Sequence, residues 1–139
     1  MKSAIRLLSP VLLLVVALFQ GCTTEDPSPS PSDPRSAFVG TWSVDEQGNK
    51  LTYEVTISLD PSSSSQVVIS NFANAGPSSN PARAEVSGNN IFLNADQVIG
   101  DGWTINGGGL MNSSTKITWA YTLDDGATLH NLTAVYTKK

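Results

Sequence analysis

The chain has 139 residues, 40% of them hydrophobic and 14% charged, which is enough for one domain with a substantial core. Acidic residues outnumber basic residues by 12 to 8, and there is one histidine and one cysteine. This composition excludes an internal disulfide, a zinc site built from His and Cys clusters, and a cysteine–histidine hydrolase.

Residues 1–21 have the layout of an export signal. Lys2 and Arg6 supply a positive start, and residues 7–19 form an apolar core interrupted by one Ser-Pro pair. A membrane-spanning helix needs roughly 20 apolar residues, so a secretory signal peptide is the better interpretation.

Gly21-Cys22 closes this segment and resembles the lipobox of bacterial lipoproteins, in which a small residue precedes the cysteine that is lipidated. The usual Leu three places before the cysteine is Phe19, as in the relaxed lipoboxes of the Bacteroides group. The resemblance implies fatty acyl chains such as palmitate on Cys22 and a membrane anchor. Thr23 in place of Asp implies the outer membrane. A core cysteine after an ordinary signal peptide is the alternative.

Residues 22–35 are predicted to form a disordered tether. Prolines alternate with Ser and Asp, and a stretch without large apolar residues cannot offset its ordering entropy. Polyproline II geometry gives it a reach of roughly 40 Å. Glu25-Asp26 resembles the acidic patch that directs some Bacteroides lipoproteins to the cell exterior, so display at the surface is one option.

Residues 36–139 show a period of two, which indicates half-buried strands, and no helical stripe. The alternation is cleanest from Leu51 to Leu59. Eight strands are predicted, through residues 38–44, 51–59, 67–72, 82–86, 91–93, 103–109, 117–123 and 129–137.

Turn residues separate these strands, and Asp125-Gly126 is the clearest hairpin signal. Residues 74–81 form a longer loop that we place at the mouth of the fold. The other predicted turns are Gln47-Gly48-Asn49, Asp60-Pro61-Ser62, Gly88-Asn89-Asn90 and Asp101-Gly102. Such short connections indicate antiparallel neighbours, because parallel strands need crossovers of a dozen or more residues.

The predicted fold is all-β: a small antiparallel up-and-down meander of about eight strands, closed into a barrel. Closure removes the exposed edges of an open sheet, and a two-sheet sandwich is the alternative. Phe38-Val39-Gly40-Thr41-Trp42 resembles the Gly-x-Trp signature of the lipocalin and calycin superfamily. The resemblance implies that Trp42 packs across the closed end, near a basic residue of the last strand, Lys138 or Lys139.

An eight-stranded barrel can be filled by side chains or can hold one small ligand. Much aromatic volume is predicted to point inward, which favours a filled interior; these residues are Trp42, Tyr53, Trp119, Tyr121 and Tyr136.

No catalytic set is evident. His130 is interpreted as an exposed strand or turn histidine, and most carboxylates fall in predicted turns, where solvation explains them: Asp45, Glu46, Asp96, Asp101, Asp124 and Asp125. Gly107-Gly108-Gly109 lacks the Lys and the helix of a phosphate loop and is interpreted as a bulge or tight bend. No cofactor or metal is expected.

Two of the eight basic residues lie in the signal segment, so the mature chain carries six against 12 acidic residues, a net charge of −6. A nucleic-acid partner is therefore not expected.

Trp103 follows Gly100-Asp101-Gly102 at a strand entry. It either packs in the core, as tryptophans usually do, or offers a flat face to a ligand such as a sugar. The leading hypothesis is a non-catalytic binding or interaction module, anchored in the cell envelope, for an unknown protein, glycan or small apolar ligand. The alternatives are a lipocalin-like carrier and a small hydrolase that acts through two carboxylates.

Overall fold

The computed structural model describes residues 33–77 and 79–139. The signal segment, Cys22 and most of the tether lie outside these residues. The described part contains nine strands: β1 (Gly40–Glu46), β2 (Leu51–Leu59), β3 (Gln66–Ser70), β4 (Ala82–Ser87), β5 (Asn90–Leu93), β6 (Gln97–Ile99), β7 (Trp103–Ser113), β8 (Lys116–Asp124) and β9 (Leu129–Lys138).

All pairings between these strands are antiparallel. Strands β1 to β5 pair in sequence, β7 to β9 pair in sequence, and β9 returns to β1. The barrel closes where β5 pairs with β7, with Phe92 opposite Gly108 and Asn90 opposite Leu110. The predicted up-and-down barrel of eight strands is confirmed, and the two-sheet sandwich is not what forms.

Strand β6 is an additional strand that the sequence analysis did not predict. It forms a hairpin with the first residues of β7, with Ile99 opposite Trp103, while β5 uses the later residues of the same edge. Of its three residues, Ile99 is buried and Val98 is exposed. Three residues give too short an alternation to be recognised in a sequence.

The alternating residues of the strands fill the barrel interior. The fully or almost fully buried side chains include Trp42, Val44, Val55, Ile57, Ile69, Ile91, Ile105, Ile117, Trp119 and Tyr136. The predicted filled interior is therefore confirmed for most of the barrel length. Leu51 was expected to face inward with the rest of β2, but it is 42% exposed at the open end.

One end of the barrel is closed by the N-terminal segment. A 3-10 helix at Pro34–Ala37 leads into Phe38 and Trp42, both fully buried. The Trp42 indole N–H donates to the Phe38 carbonyl at 2.8 Å. The Lys138 ammonium lies 5.2 Å from the centroid of the Trp42 ring and donates to the Ala37 carbonyl at 3.0 Å. Trp42 and Lys138 thus occupy the positions that the Gly-x-Trp resemblance implied.

The folded part begins before the predicted boundary. Arg35 is buried, and its guanidinium donates to the Ser63 and Gln66 carbonyls at 2.6 and 3.1 Å. The guanidinium also pairs with the Asp33 carboxylate, at 2.7 Å from Nη2. Pro34 and Arg35 therefore belong to the domain, although the sequence analysis assigned them to the tether.

The opposite end is the mouth. It is formed by the β1–β2 turn, residues 71–77 and 79–81, and the β8–β9 hairpin. Strand β3 was predicted to run to Phe72, but it ends at Ser70, because Asn71 adopts a left-handed φ of 62°. Phe72 instead begins a short 3-10 turn, Phe72–Asn74. The Asp125-Gly126 hairpin is confirmed, with a loop of residues 125–128 between Asp124 and its partner Leu129.

Gly107-Gly108-Gly109 lies inside β7, and the pairing with β8 continues through it without a shift. The irregularity in this pair lies later, between Met111 and Ser113, so the bulge interpretation is wrong for the glycines. Their role is close approach. A Cβ on Gly107 would lie 2.5 Å from the Ala120 carbonyl oxygen, and one on Gly108 would lie 2.6 Å from the Ile91 oxygen.

We expect Gly107→Ala to destabilise the barrel by about 1–3 kcal/mol more than Gly102→Ala, since inserted atoms in a packed site force backbone shifts. Both glycines have a positive φ, 131° and 113°, but a Cβ on Gly102 meets nothing within 4 Å. Urea unfolding of the two variants measures the difference. Equal losses of stability would show that the approach of β8 does not depend on Gly107.

Candidate functional site

A pocket of about 240 Å³ opens at the mouth of the barrel. Strands β1, β2, β7, β8 and β9 and the 3-10 turn contribute to its wall. The lining residues are Glu46, Asn49, Leu51, Ala73, Asn74, Trp103, Leu123, Asp125, His130 and Leu132. Leucines and a tryptophan supply apolar surface, and the polar groups lie on the end of β1, the β1–β2 turn, the 3-10 turn and the β8–β9 hairpin.

Glu46 is the buried polar group of this pocket, with 2% of its surface exposed. Its Oε1 accepts a hydrogen bond from the Asn49 side-chain amide at 2.8 Å. Its Oε2 accepts from the Tyr53 hydroxyl at 3.0 Å and from the Tyr121 hydroxyl in a short hydrogen bond. Three neutral donors thus converge on one carboxylate, and no basic side chain of the described residues lies within 4 Å of it.

The prediction that Glu46 is a solvated turn carboxylate is wrong, because its side chain is buried in the pocket. The structure places it on the last residue of β1, on the same face as Trp42 and Val44. The signal was present, because a period of two carries the inward face of β1 from residue 42 through 44 to 46. Because the turn residues Gln47-Gly48-Asn49 follow directly, the first strand was predicted to end at residue 44, before Glu46.

All three tyrosines of the chain surround this carboxylate or lie close to it. Burial raises the pKa of Tyr53, Tyr121 and Tyr136 well above the ordinary value near 10, because the ionised phenolate loses its hydration. The negative charge of Glu46 raises all three pKa values further. Each tyrosine is therefore held in its neutral form, in which Tyr53 and Tyr121 can donate to Glu46.

An aromatic cluster lies below the mouth. Phe72 packs edge-on against Trp119 and Tyr121, with ring centroids 5.3 and 4.9 Å apart. Trp119 in turn lies 5.3 Å from Tyr136. The Trp119 indole nitrogen and the Tyr136 hydroxyl are buried without a hydrogen-bond partner among the described residues. Two unpaired donors in the core cost stability, typically about 1–3 kcal/mol for each group.

The rim of the pocket carries an Asp–His pair on the β8–β9 hairpin. The Asp125 carboxylate accepts from the Ala127 and Thr128 backbone amides at 2.9 and 2.7 Å, and it contacts His130 Nε2 at 3.1 Å. These hydrogen bonds, with the backbone amide of Ala127 as the largest cause, lower the pKa of Asp125 to about 2. Asp125 is therefore a fixed negative charge at the rim. His130 lies on the last strand, β9, as predicted, but it is half-buried rather than fully exposed, with 39% of its side chain accessible.

Trp103 is half-buried. It packs against the core and also lines the pocket, so it combines the two predicted alternatives, a core residue and a ligand-facing residue. The 3-10 turn contributes Ala73 and Asn74 to the wall, and Asn74 is the first residue of the predicted mouth loop. The exposed Leu51 extends the apolar surface to the rim.

The lining residues include no serine, threonine or cysteine, so His130 and Asp125 have no nucleophile beside them in the pocket. Within residues 33–77 and 79–139, the His, Asp and Glu side chains form no group of three that could hold a metal ion. No helix in this part of the chain is long and apolar enough to cross a membrane.

No protein-family model and no curated protein matches the chain. Solved structures do match. One is EF1p2_mFAP2b bound to DFHBI, at 19% identity and a TM-score of 0.52, covering 79% of this chain and 100% of the other. Another is a redesigned beta barrel, at 14% identity and a TM-score of 0.53, covering 80% of this chain and 99% of the other.

At these identities the likeness shows the fold alone. The chain shares a closed antiparallel β-barrel with both structures, and the architecture fits a calycin-like barrel. The assignment of a function depends on the pocket itself, because one barrel fold supports many functions.

We expect no tyrosine of the folded protein to ionise near pH 10. Since all three folded-state pKa values are raised, the neutral tyrosines stabilise the fold fully below about pH 10. That contribution is lost as the pH rises toward the higher folded-state values. Tyrosinate absorbance should therefore appear together with the loss of near-ultraviolet circular dichroism, in one alkaline unfolding transition. Ionisation of any tyrosine with tertiary structure intact would contradict the arrangement around Glu46.

Proposed function

We propose that this protein is a non-catalytic binding module of the bacterial cell envelope that takes one small molecule with an apolar body into the mouth pocket. The observation that carries the proposal is the pocket of about 240 Å³ with leucine and tryptophan walls and one buried carboxylate. Ligand sites are typically concave and mostly apolar, with a few polar groups that fix orientation.

The size of the ligand follows from the filling of the barrel. Trp119, Tyr136 and Ile117 fill the interior below the mouth, so the free volume inside the barrel is concentrated at the mouth. This supports a ligand the size of one or two rings rather than a long acyl chain running through the barrel. The structure of EF1p2_mFAP2b contains DFHBI, which is consistent with a barrel of this architecture holding a small molecule.

The anchor is the second part of the proposal. The lipobox-like Gly21-Cys22 and the proline-spaced tether support an outer-membrane lipoprotein, with the barrel presented on a spacer. Display at the cell surface is proposed from Glu25-Asp26. The same rim also offers a surface to a protein or glycan partner, because Leu51 is exposed there and Trp103 is half-buried.

A small carboxylate-dependent hydrolase is the second candidate, because Glu46 and Asp125 line the same pocket. A glycosidase needs one carboxyl group with a raised pKa to act as the acid. Asp125 has the opposite shift, to about 2, and Glu46 is enclosed by three donors. These contacts favour binding over catalysis. If the protein hydrolyses chromogenic glycosides and both Glu46→Gln and Asp125→Asn abolish this activity, the hydrolase would become the favoured function.

A fragment screen observed on the protein by NMR tests the binding function. The mature chain from residue 22 contains the complete barrel, and Cys22→Ser makes it free of lipid. We expect hits that saturate and that shift the Trp103 indole together with Leu123 and Leu132. Trp103→Ala should weaken their binding by about 2- to 12-fold, the equivalent of an aromatic contact of about 0.5–1.5 kcal/mol.

Phe92→Ala is the matched control. Phe92 is 51% exposed and lies on the outer surface beside the glycines of β7. Its loss removes an accessible aromatic ring without touching the mouth, so affinities should stay unchanged. Hits scattered over the outer surface, or hits equally sensitive to both variants, would contradict a binding site at the mouth.

Cys22→Ala should abolish lipidation in the native host. The variant is expected to remain an unprocessed precursor without incorporated labelled palmitate, because the thiol is the acceptor for the lipid. Asp26→Ala, in the tether, is the control and should be processed normally. Palmitate incorporated into the Cys22→Ala chain would rule out the lipobox interpretation.

A further inference from the structure

The buried carboxylate of the pocket lacks a counter-charge. Glu46 is 2% exposed, and it takes part in no ion pair among the described residues: Arg35 pairs with Asp33, Arg83 with Asp60 and Lys139 with Glu54, while His130 contacts Asp125. Removing a carboxylate from water is costly unless a charge or several hydrogen bonds compensate. Asn49, Tyr53 and Tyr121 supply hydrogen bonds to Glu46, but none of them supplies a positive charge.

The carboxylate also retains acceptor capacity. An ionised carboxylate offers about four acceptor sites, two on each oxygen. Oε2 receives both tyrosine hydroxyls, whereas Oε1 receives the Asn49 amide alone. One acceptor site therefore remains on Oε1, the oxygen nearest to the β1–β2 turn that contributes Asn49 to the pocket wall.

The rest of the pocket has the same electrostatic preference. Asp125, which contacts His130 Nε2 at 3.1 Å, adds a second carboxylate at the rim, and its lowered pKa keeps it ionised throughout the neutral range. Trp103 supplies an aromatic face, which attracts cations through its ring quadrupole. The mature chain carries a net charge of −6, so its overall field also favours the approach of cations.

We propose that the mouth pocket selects a small organic cation, a primary ammonium group attached to an apolar body, and that Glu46 Oε1 accepts a hydrogen bond from the ammonium. The ammonium is both the missing counter-charge and the missing donor. Its apolar body packs against Trp103, Leu123 and Leu132. This inference rests on the binding function proposed above and names the chemical class of its ligand.

The test uses three probes that share one apolar body: 2-phenylethylamine, 2-phenylethanol and phenylacetate, titrated into the Cys22→Ser chain at neutral pH. We expect the amine to bind about 10-fold or more tightly than the alcohol, since hydrogen bonds to charged groups contribute about 1.5–3 kcal/mol. Phenylacetate should be the weakest. In the wild-type barrel, the carboxyl ¹³C resonance of Glu46 should shift with the amine and not with the alcohol.

Glu46→Gln keeps the size of the side chain and an amide that can pair with both tyrosine hydroxyls. It should abolish the preference for the amine, so that the amine and the alcohol bind with affinities within about 2-fold of each other. Glu54→Gln is the matched control, because Glu54 is an exposed acid of β2 paired with Lys139. It removes the same charge elsewhere and should leave the preference intact.

The outcomes separate this inference from the binding function. Equal affinities for amine and alcohol, or a Glu46 resonance that the amine does not shift, would overturn the selection of a cation while leaving a small-molecule site in place. A preference that survives Glu46→Gln would overturn the role of that carboxylate. Absence of binding by all three probes, together with an empty fragment screen, would overturn both proposals.

Discussion

The pairing of β5 with β7 is the constraint on which this molecule depends. Without it the strands form an open sheet with two free edges, and the inward side chains have nothing to face. The pairing requires close approach, and Gly107, Gly108 and Gly109 provide it by leaving room for β5 on one side and β8 on the other. On its other side β7 pairs with β8, where Tyr121 lies opposite Gly107 and donates to Glu46. The close approach of β8 to β7 therefore contributes to the geometry of the pocket.

The two ends of the barrel differ in the side chains that fill them. At one end Trp42 and Phe38 fill the cross-section and bind each other through an indole–carbonyl hydrogen bond. At the other end the corresponding layer is Glu46 with two tyrosine hydroxyls, polar groups that hold their geometry by hydrogen bonds rather than by close packing. A polar layer of this kind leaves space above it, and that space is the pocket. The molecule thus combines a packed core with a site built from the last residues of its strands.

Much of this fold could be predicted from local pattern. The alternation from Leu51 to Leu59 and the Asp125-Gly126 turn identify strands and hairpins directly, because each depends on residues close in sequence. The site could not be predicted in the same way. Glu46 and Tyr121 are 75 positions apart in the sequence, so no local sequence pattern indicates that they are hydrogen-bonded. The alternation along β1 places Glu46 on the inward face of the strand. A carboxylate beside a turn is more often solvated, however, and the tyrosines whose hydroxyl groups compensate for its burial lie on other strands.

The point at which the N-terminal segment joins the barrel has a consequence for how a ligand would arrive. Arg35 and Lys138 fasten that segment to the closed end, opposite the mouth. If Cys22 carries the lipid, the attachment lies at the end of the barrel remote from the opening, so the tether does not obstruct the pocket. A tether with a reach of roughly 40 Å also allows the opening to face the aqueous medium, where the proposed water-soluble amine would enter.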